Sequence, residues 1–232
     1  MKKHNMKAVI FDLDGVITDT AEYHYIAWKN LANRLGIDFD RAFNENLKGI
    51  SRLESLDLIL EKDNMANRFS QEEKEAFARE KNEEYVALIQ DITPRDILPG
   101  ILDFMQELKR HDIKMAIASA SKNAPAILEK LEIIHFLDYI ADAGSIPNPK
   151  PAPDIFLVSA EALSTPPAQC VGIEDAIAGV EAIKAAKMMA VGIGAWAHLN
   201  KADLVLENTA QLSLARIAQA FMKYEIGEMH KS

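Results

Sequence analysis

The chain has a single cysteine, Cys170, among 232 residues, so an intrachain disulfide bond is excluded. One thiol also suits a reducing compartment. No apolar run is long enough to cross a bilayer, and residues 1–5 lack the apolar stretch of a secretory signal. We therefore expect a cytoplasmic protein that does not bind membranes.

Positive charge is also scarce, because 26 Lys and Arg face 35 Asp and Glu and leave a formal charge of -9. Nucleic acids and anionic membranes are held by a surplus of Lys and Arg, so we expect neither as a partner. An anionic ligand would need a locally basic pocket. Apolar residues make up 49% of the chain, which is enough to build a buried core.

The first part of the chain changes from a strand pattern to a helical one. Residues 7–12 form an apolar run rich in β-formers, as a buried strand does. Apolar residues at helical spacing follow from about residue 20 and stop at Gly36. Capping boxes predict two more helix starts, at Ser51 and at Ser70. The stretch 20–92 therefore looks all-helical.

After Pro94, apolar strands alternate with helices, which indicates a doubly wound parallel sheet. The predicted strands are 113–118, 139–141, 170–173, 189–193 and 204–206, and the helices lie near 100–110, 123–131, 153–163 and 176–186. Because the first strand precedes the helical stretch, we predict an α/β fold with an inserted all-helical domain. The predicted Rossmann-like core is residues 1–19 and 93–232, and the insertion is residues 20–92.

Acidic residues follow the first predicted strand and the strand 170–173. Asp12 and Asp14, at i and i+2, can point to one side of an extended chain, and Gly15 permits a turn. Glu174 and Asp175 end the later strand and open the next helix. Each pair alone has a structural explanation, as a loop cap or as a complement to a helix dipole. Together they offer the oxygen ligands that Mg²⁺ prefers.

Phosphate-binding groups follow the strand 113–118. Ser119 and the next residues open a helix, where free backbone amides can hold phosphate, although most such serines only cap the helix. Lys150 stands between two prolines, an unusual setting for a surface lysine. Parallel sheets bind ligands at the carboxyl ends of their strands, so we expect these segments to meet there. The order of segments predicts phosphoryl transfer through an aspartyl-phosphate.

These residues resemble the haloacid dehalogenase superfamily of phosphotransferases over nearly the whole chain. The resemblance rests on Asp12-Leu13-Asp14-Gly15, Ser119, Lys150-Pro151 and Glu174-Asp175. The segments 18–24, 48–52 and 119–123 are similar to those of its sugar phosphomutases. The resemblance implies interconversion of β-D-glucose 1-phosphate and glucose 6-phosphate through a bisphosphate intermediate, and it identifies the helical insertion as a cap domain.

The resemblance also implies a role for each site residue. Asp12 is the nucleophile, Asp14 the general acid and base, and Ser119 and Lys150 hold the transferring phosphate. The expected Mg²⁺ ligands are Asp12, Glu174, Asp175 and the Asp14 carbonyl. The expected substrate-binding residues are Lys48, Gly49, Arg52, Lys81, Ala120, Ser121, Lys122 and Asn123.

Thr20 and His24 lie four residues apart and so share a helix face near the hinge of the cap. His24 is either a partly buried helix histidine or a group that orients Asp14 when the cap closes. The resemblance favours the second interpretation, and we count both residues as catalytic candidates. We also expect Asp12 to be accessible to solvent.

Two other functions use similar residues. A sugar-phosphate phosphatase would let water attack the aspartyl-phosphate. It needs only one anion site, whereas Lys48, Arg52, Lys122 and Asn123 are expected to form a second one, which a bisphosphate intermediate requires. A phospho-acceptor switch also carries an Asp and a Lys on a doubly wound sheet, but it leaves the helical insertion without a purpose. We therefore expect a phosphomutase with a small sugar phosphate as its partner, acting as a monomer; the exact sugar stays open.

Overall fold

The computed structural model describes residues 5–229, and the side chains of residues 5–227. Residues 1–4 and 230–232, which the domain prediction assigns to the core, lie outside the described part. The prediction that residues 1–5 carry no secretory signal therefore concerns residues that, apart from residue 5, lie outside the described part. Within residues 5–229, no helix combines the length and the apolar composition that crossing a membrane requires.

The core is a six-stranded parallel sheet with the strand order β3-β2-β1-β4-β5-β6. The strands are β1 (Ala8–Phe11), β2 (Lys114–Ile117), β3 (Tyr139–Ile140), β4 (Cys170–Glu174), β5 (Met189–Ile193) and β6 (Leu204–Leu206). The doubly wound sheet is thereby confirmed, with strand ends that differ from the prediction by one residue or none.

Helices cover both faces of this sheet and form the insertion. In chain order the α-helices of residues 5–229 are α1 (Ala21–Leu35), α2 (Arg41–Asn44), α3 (Arg52–Lys62), α4 (Gln71–Leu88), α5 (Ile101–Arg110), α6 (Ala124–Lys130), α7 (Asp154–Ala162), α8 (Ile177–Ala185), α9 (Trp196–Leu199) and α10 (Leu214–Met229). The sequence pattern predicts most of them, but it did not predict α9 or α10, and it covered α2 only as part of the helical stretch 20–92.

Alternation along β1 explains the two layers of the core. Val9 and Phe11 are fully buried in one hydrophobic cluster together with residues of α5, α6 and α10. Ala8 and Ile10 are fully buried in a second cluster together with residues of α7 and α8. Successive side chains of a strand point to opposite faces, so a strand covered on both faces is apolar throughout.

The inserted helices have a hydrophobic cluster of their own. Trp28 and Leu31 of α1 pack there with residues of α3 and α4. Gly36 ends α1 in the left-handed conformation, as predicted, and the capping boxes at Ser51 and Ser70 are confirmed. The helical cap is therefore present, whereas its limits at residues 20 and 92 stay a prediction.

Two neighbouring chain segments connect the cap to the core. The Thr18 hydroxyl donates a 2.7 Å hydrogen bond to the Asp96 carbonyl, and the Leu98 amide donates a 2.9 Å bond to the Ile17 carbonyl. These bonds tie the outgoing segment to the returning one just beyond the end of β1. The cap consequently stands over the edge of the sheet where the predicted site residues lie.

Candidate active site

Three carboxylates meet at the carboxyl ends of β1 and β4. Asp12 follows β1, Glu174 ends β4 and Asp175 comes next. One oxygen of each lies within 4.8 Å of the others. Burial, followed by the neighbouring acids, raises the pKa of Asp175 well above its ordinary value. Negative charge here is therefore not fully compensated, and the oxygen donors fit a hard divalent cation.

Lys150 supplies a positive charge inside this cluster. Its Nζ donates hydrogen bonds of 2.7 Å to Asp12 Oδ1 and 2.6 Å to Glu174 Oε1, and all three side chains are buried. Burial alone would lower the pKa of Lys150, but Asp12 and Glu174 outweigh it and leave that pKa raised. Lys150 therefore stays charged and holds Asp12 in one orientation.

Gly15 brings the Asp14 turn close to Asp175. Its φ is +77°, and a Cβ placed on it would lie 2.3 Å from Asp175 Oδ2, so only glycine fits. Asp14 Oδ1 is buried and has no hydrogen-bond partner among residues 5–229. Burial and then the charge of Asp12 raise the pKa of Asp14. A carboxyl group in this state is suited to carrying a proton.

Asp12 was predicted at a solvent-reachable strand end, and its side chain is more buried than that prediction implies. Its exposed fraction is 5%, because β2 and β4 flank the end of β1 on both sides. Its side chain reaches solvent through the cavity that it lines. A small ligand in that cavity can therefore contact Asp12.

The loop before α6 is organised by serine side chains. Ser119, with 1% exposure, accepts a 3.1 Å hydrogen bond from the Ser121 amide. Ser121 in turn accepts a 3.2 Å hydrogen bond from the Asn123 amide. These bonds fix the backbone where β2 gives way to α6, next to the end of β1. Ala120, Ser121 and Lys122 line the cavity from this side.

The cavity has a volume of about 360 Å³ and lies between the core and the cap. It is lined by most of the residues that the sequence analysis singled out: Asp12, Asp14, His24, Lys48, Gly49, Arg52, Lys81, Ala120, Ser121, Lys122 and Asp175. The other candidates lie around it and are not among its lining residues: Thr20, Ser119, Asn123, Lys150 and Glu174.

His24 and Lys81 are in direct contact across two cap helices. Lys81 Nζ lies 2.7 Å from His24 Nδ1, and the His24 ring stacks on Tyr85 with the ring centroids 4.0 Å apart. Burial and then Arg52 lower the pKa of Lys81 to about 7. Burial and then Lys81 hold the pKa of His24 well below its ordinary value. His24 is therefore neutral, and a hydrogen bond joins its Nδ1 to Lys81 Nζ.

Lys48 and Gly49, two predicted substrate-binding residues of the cap, also have close neighbours in the protein itself. Lys48 Nζ pairs with Glu45 at 2.9 Å and is also attracted by Asp175, so its pKa is raised although burial opposes this. Gly49 has a φ of +75°, and a Cβ on it would lie 3.1 Å from the Ala176 Cβ. This loop of the cap therefore lies directly against the start of α8.

Asn123 contacts the cap rather than the cavity. Its amide group donates a 2.8 Å hydrogen bond to Asn82 Oδ1 in α4. The sequence analysis did not single out Asn82, although it directly follows Lys81. This bond joins the core loop before α6 to the helix that carries Lys81, so it couples the position of the cap to that loop.

Trp28 and Tyr85 are two further site residues that the sequence analysis missed. Trp28 lines the cavity, and Lys81 Nζ lies 4.8 Å from the centroid of its ring and 4.8 Å from that of Tyr85. Trp28 lies four residues after His24, and Tyr85 four residues after Lys81. Residues four apart share a helix face, so this spacing was a usable signal.

Comparison with known proteins finds a matching family model and two relatives that act on phosphorylated sugars. The family model of the haloacid dehalogenase-like hydrolases matches residues 6–187. The chain is 48% identical to the β-phosphoglucomutase of Bacillus subtilis (strain 168), over 96% of this chain and 99% of that protein. It is 32% identical to the fructose-1-phosphate phosphatase YqaB of Escherichia coli (strain K12), over 80% of this chain and 95% of that protein.

A solved structure agrees with these relatives. The crystal structure of a β-phosphoglucomutase from Clostridium difficile superposes with a TM-score of 0.93 at 52% identity, covering 95% of this chain and 99% of that chain. The similarity therefore includes the cap as well as the sheet.

Proposed function

The chain belongs to the haloacid dehalogenase-like hydrolase family, and on that premise we propose that it is a β-phosphoglucomutase. Such an isomerase interconverts β-D-glucose 1-phosphate and glucose 6-phosphate. One observation carries the proposal: a single cavity has Asp12 and Asp14 in its wall together with cations from both the core and the cap. The basic residues of the wall are Lys48, Arg52, Arg79 and Lys81 of the cap and Lys122 of the core. A molecule with a phosphate at each end needs such a cavity.

In the proposed cycle Asp12 carries the phosphoryl group. The phosphorus leaves the Asp12 oxygen and bonds to the 6-oxygen of glucose 1-phosphate, whose hydroxyl proton passes to Asp14. The product of this step is β-glucose 1,6-bisphosphate. After the bisphosphate turns round, Asp12 takes the other phosphoryl group from the 1-oxygen, and Asp14 returns the proton to that oxygen. Glucose 6-phosphate leaves and Asp12 is phosphorylated again.

Lys150 and Ser119 are the proposed holders of the transferring phosphate. Lys150 Nζ already lies 2.7 Å from Asp12 Oδ1, so its charge is next to the attacking oxygen. Ser119 and the backbone amides that follow it stand at the neighbouring strand end. Fixed positive charge and oriented donors stabilise the charge that develops during phosphoryl transfer.

We propose Mg²⁺ as the cation of the carboxylate cluster. Asp12, Glu174, Asp175 and the Asp14 carbonyl would hold it, and when bound it supplies positive charge that the transferring phosphate needs. The raised pKa of Asp175 supports this assignment, because the acids crowd one another in the absence of an ion. Lys150 pairs directly with Asp12 and Glu174, and the attraction of Lys48 does not offset the crowding at Asp175.

The second phosphate is proposed to bind on the cap side of the cavity. Arg52 lines the cavity, and burial lowers its pKa, as expected for a guanidinium without a carboxylate partner. The proposed set also contains Ala120, Ser121, Lys122 and Asn123 from the core loop. Lys48, Gly49 and Lys81 are proposed to contact the sugar between the two phosphates.

Thr20 and His24 are proposed to position Asp14. Thr20 Oγ1, Asp14 Oδ1 and the Tyr85 hydroxyl are all buried, and none has a hydrogen-bond partner of good geometry among residues 5–229. Thr20 and Tyr85 are close enough to interact with each other. Buried polar groups are costly when unpaired, so a shift that lets Thr20 donate to Asp14 Oδ1 is favourable. His24 and Lys81 form the adjacent pair that would accompany such a shift.

The two alternatives explain less of this geometry. A phosphatase needs one anion site and a water, which leaves Arg52 without a function. A phospho-acceptor switch needs no cavity of about 360 Å³ between a core and a cap. The cytoplasmic location and the absence of nucleic-acid binding stay predictions from the composition of the chain. The monomeric state stays a prediction with which a closing cap is compatible.

A coupled assay tests the proposal. Formation of glucose 6-phosphate from β-glucose 1-phosphate is followed in the presence of Mg²⁺ and a bisphosphate primer, and release of inorganic phosphate is measured in parallel. We expect interconversion to exceed phosphate release by orders of magnitude. Faster phosphate release than interconversion would identify a phosphatase and overturn the proposal.

A further inference from the structure

The cap side of the cavity contains a buried polar side chain that none of the roles above explains. Asn44 ends α2, is 8% exposed and lines the cavity. Its side chain does not cap the following turn. Its amide atoms are not among the fully buried, unpaired polar atoms of residues 5–229, so they stay accessible at the cavity that Asn44 lines. An amide that the fold does not use, in the wall of a cavity, is available to bind a ligand.

The other uncharged polar side chains of the cap in this wall are already occupied. Ser51 accepts a hydrogen bond from the Glu54 amide, and Ser55 donates a 3.0 Å hydrogen bond to the Ser51 carbonyl. Their hydroxyl groups therefore serve the start of α3. The amide of Asn44 keeps both a donor and an acceptor for a molecule in the cavity.

The backbone of Asn44 is fixed by hydrogen bonds. Its own backbone N–H donates a 3.1 Å hydrogen bond to the Asp40 carbonyl, and the Asp40 side chain caps α2 by accepting from the Phe43 amide at 2.8 Å. A short turn over Glu45–Leu47 then leads to Lys48. Because the backbone is already ordered, a ligand that binds the amide has only the side chain of Asn44 left to order.

The other residues of the cavity wall favour a sugar ring, rather than a phosphate, as the ligand of Asn44. Trp28, Leu47 and Ala78 give the same cavity apolar surface, which suits the C–H face of a sugar. Phosphates are better served by the charged groups Arg52 and Lys122, which also line the cavity. A neutral amide that both donates and accepts matches a sugar hydroxyl.

We propose that Asn44 is a specificity-determining residue that forms hydrogen bonds with a ring hydroxyl of the bound sugar phosphate. This inference rests on the proposed function, because the sugar phosphate is the substrate of that reaction. A site that bonds a hydroxyl through a buried amide rejects analogues that lack the hydroxyl, since the amide is then left unpaired.

Calorimetry on the intact protein tests the inference with two probes, glucose 6-phosphate and inorganic phosphate. We expect Asn44→Ala to weaken binding of glucose 6-phosphate roughly three- to tenfold, the effect of one uncharged hydrogen bond, and to leave binding of inorganic phosphate unchanged. The matched control is Asn46→Ala, because Asn46 is exposed and its amide donates to the Phe43 carbonyl outside the cavity. That control should bind both probes as the wild type does.

Deoxy analogues identify the hydroxyl. The wild type should bind one of the 2-, 3- and 4-deoxy forms of glucose 6-phosphate more weakly than the parent sugar, and Asn44→Ala should lose that difference. Asn44→Asp keeps the shape of the side chain and provides a second variant if Asn44→Ala does not fold. It should also weaken binding of glucose 6-phosphate, because it loses the N–H donors and brings a negative charge.

Three results overturn the inference: unchanged binding of glucose 6-phosphate by both variants, equal weakening of both probes, or no binding of glucose 6-phosphate by the wild type. The coupled assay judges the proposed function separately. If the wild type binds the sugar phosphate through Asn44 but does not interconvert its isomers, only the mutase assignment is lost.

Discussion

Lys81 Nζ lies 2.7 Å from His24 Nδ1, and this contact joins α4 to α1 beside the cavity. Lys81 is 1% exposed, and its ammonium group lies over the rings of Trp28 and Tyr85. Burial and Arg52 lower its pKa from 10.5 to about 7, so the folded protein holds this proton less tightly than the unfolded chain does. The stability of the ligand-free protein must therefore depend on pH through Lys81.

The sign of that dependence gives the first prediction. Between pH 7 and 10.5 the unfolded chain binds more protons at Lys81 than the folded protein, so the Lys81 contribution to the unfolding free energy rises with pH. Urea unfolding of wild type and Lys81→Met at pH 7 and pH 9 measures it. We expect the wild type to gain stability relative to the variant by up to ~1.4 kcal/mol per pH unit. Lys223→Met, at an exposed position of α10, should show no such trend.

The second prediction separates the roles of Asp12 and Asp14. Asp12→Asn removes the nucleophile, so we expect no phosphorylated protein in mass spectra and a loss of activity of at least ~10³-fold. Asp14→Asn keeps the nucleophile but loses the proton carrier, and it should slow turnover about 10²- to 10⁴-fold while phosphorylated protein still forms. Both variants should remain folded by circular dichroism. Phosphorylation of Asp12→Asn at the same rate as the wild type would contradict the assignment.

The third prediction concerns the buried ion pairs of Lys150. Lys150→Met leaves Asp12 and Glu174 buried without their cation, and breaking a buried ion pair in this way costs about 3–5 kcal/mol. We expect a loss of that size in unfolding free energy without divalent cation, together with loss of activity. As a control, Lys201→Met breaks the exposed pair with Glu181 and should cost less than about 1 kcal/mol. Similar costs for both variants would contradict the prediction.

The sheet was predictable because a parallel strand that is buried on both faces appears in the sequence as a short apolar run. Cys170–Glu174 and Met189–Ile193 are both buried throughout, and their alternation with helices identifies the doubly wound order. The meeting of the acidic strand ends followed from the same argument, since β1 and β4 are neighbours. Local patterns were sufficient for features that depend on strand order alone.

Contacts between the cap and the core were not predictable in the same way. The cavity that Asp12 lines and the free amide of Asn44 depend on how the cap covers the sheet edge, which no local spacing specifies. The bond between Asn123 and Asn82 joins residues 41 positions apart. Pairing of His24 with Lys81 likewise needs α1 and α4 to be packed before the two side chains meet.

The fourth prediction uses two glycines to separate crowding of the carboxylate cluster from ordinary glycine effects. A Cβ on Gly179 in α8 would lie 1.8 Å from Glu174 Oε1, so Gly179→Ala must displace the Glu174 side chain. We expect weaker Mg²⁺ binding by at least about tenfold in calorimetry, because one proposed ligand is moved. The fold should be less stable as well, since Glu174 would leave its position against Lys150.

Gly227→Ala is the matched control. It makes the same substitution in another helix, α10, where a Cβ would meet nothing within 4 Å. Replacing a helical glycine by alanine without a clash stabilises a protein by about 0.4–1 kcal/mol. The two variants should therefore change stability in opposite directions, and only Gly179→Ala should alter Mg²⁺ affinity. Equal Mg²⁺ affinity in both variants would mean that Glu174 is not a ligand of the cation, and the carboxylate centre would have to be assigned without it.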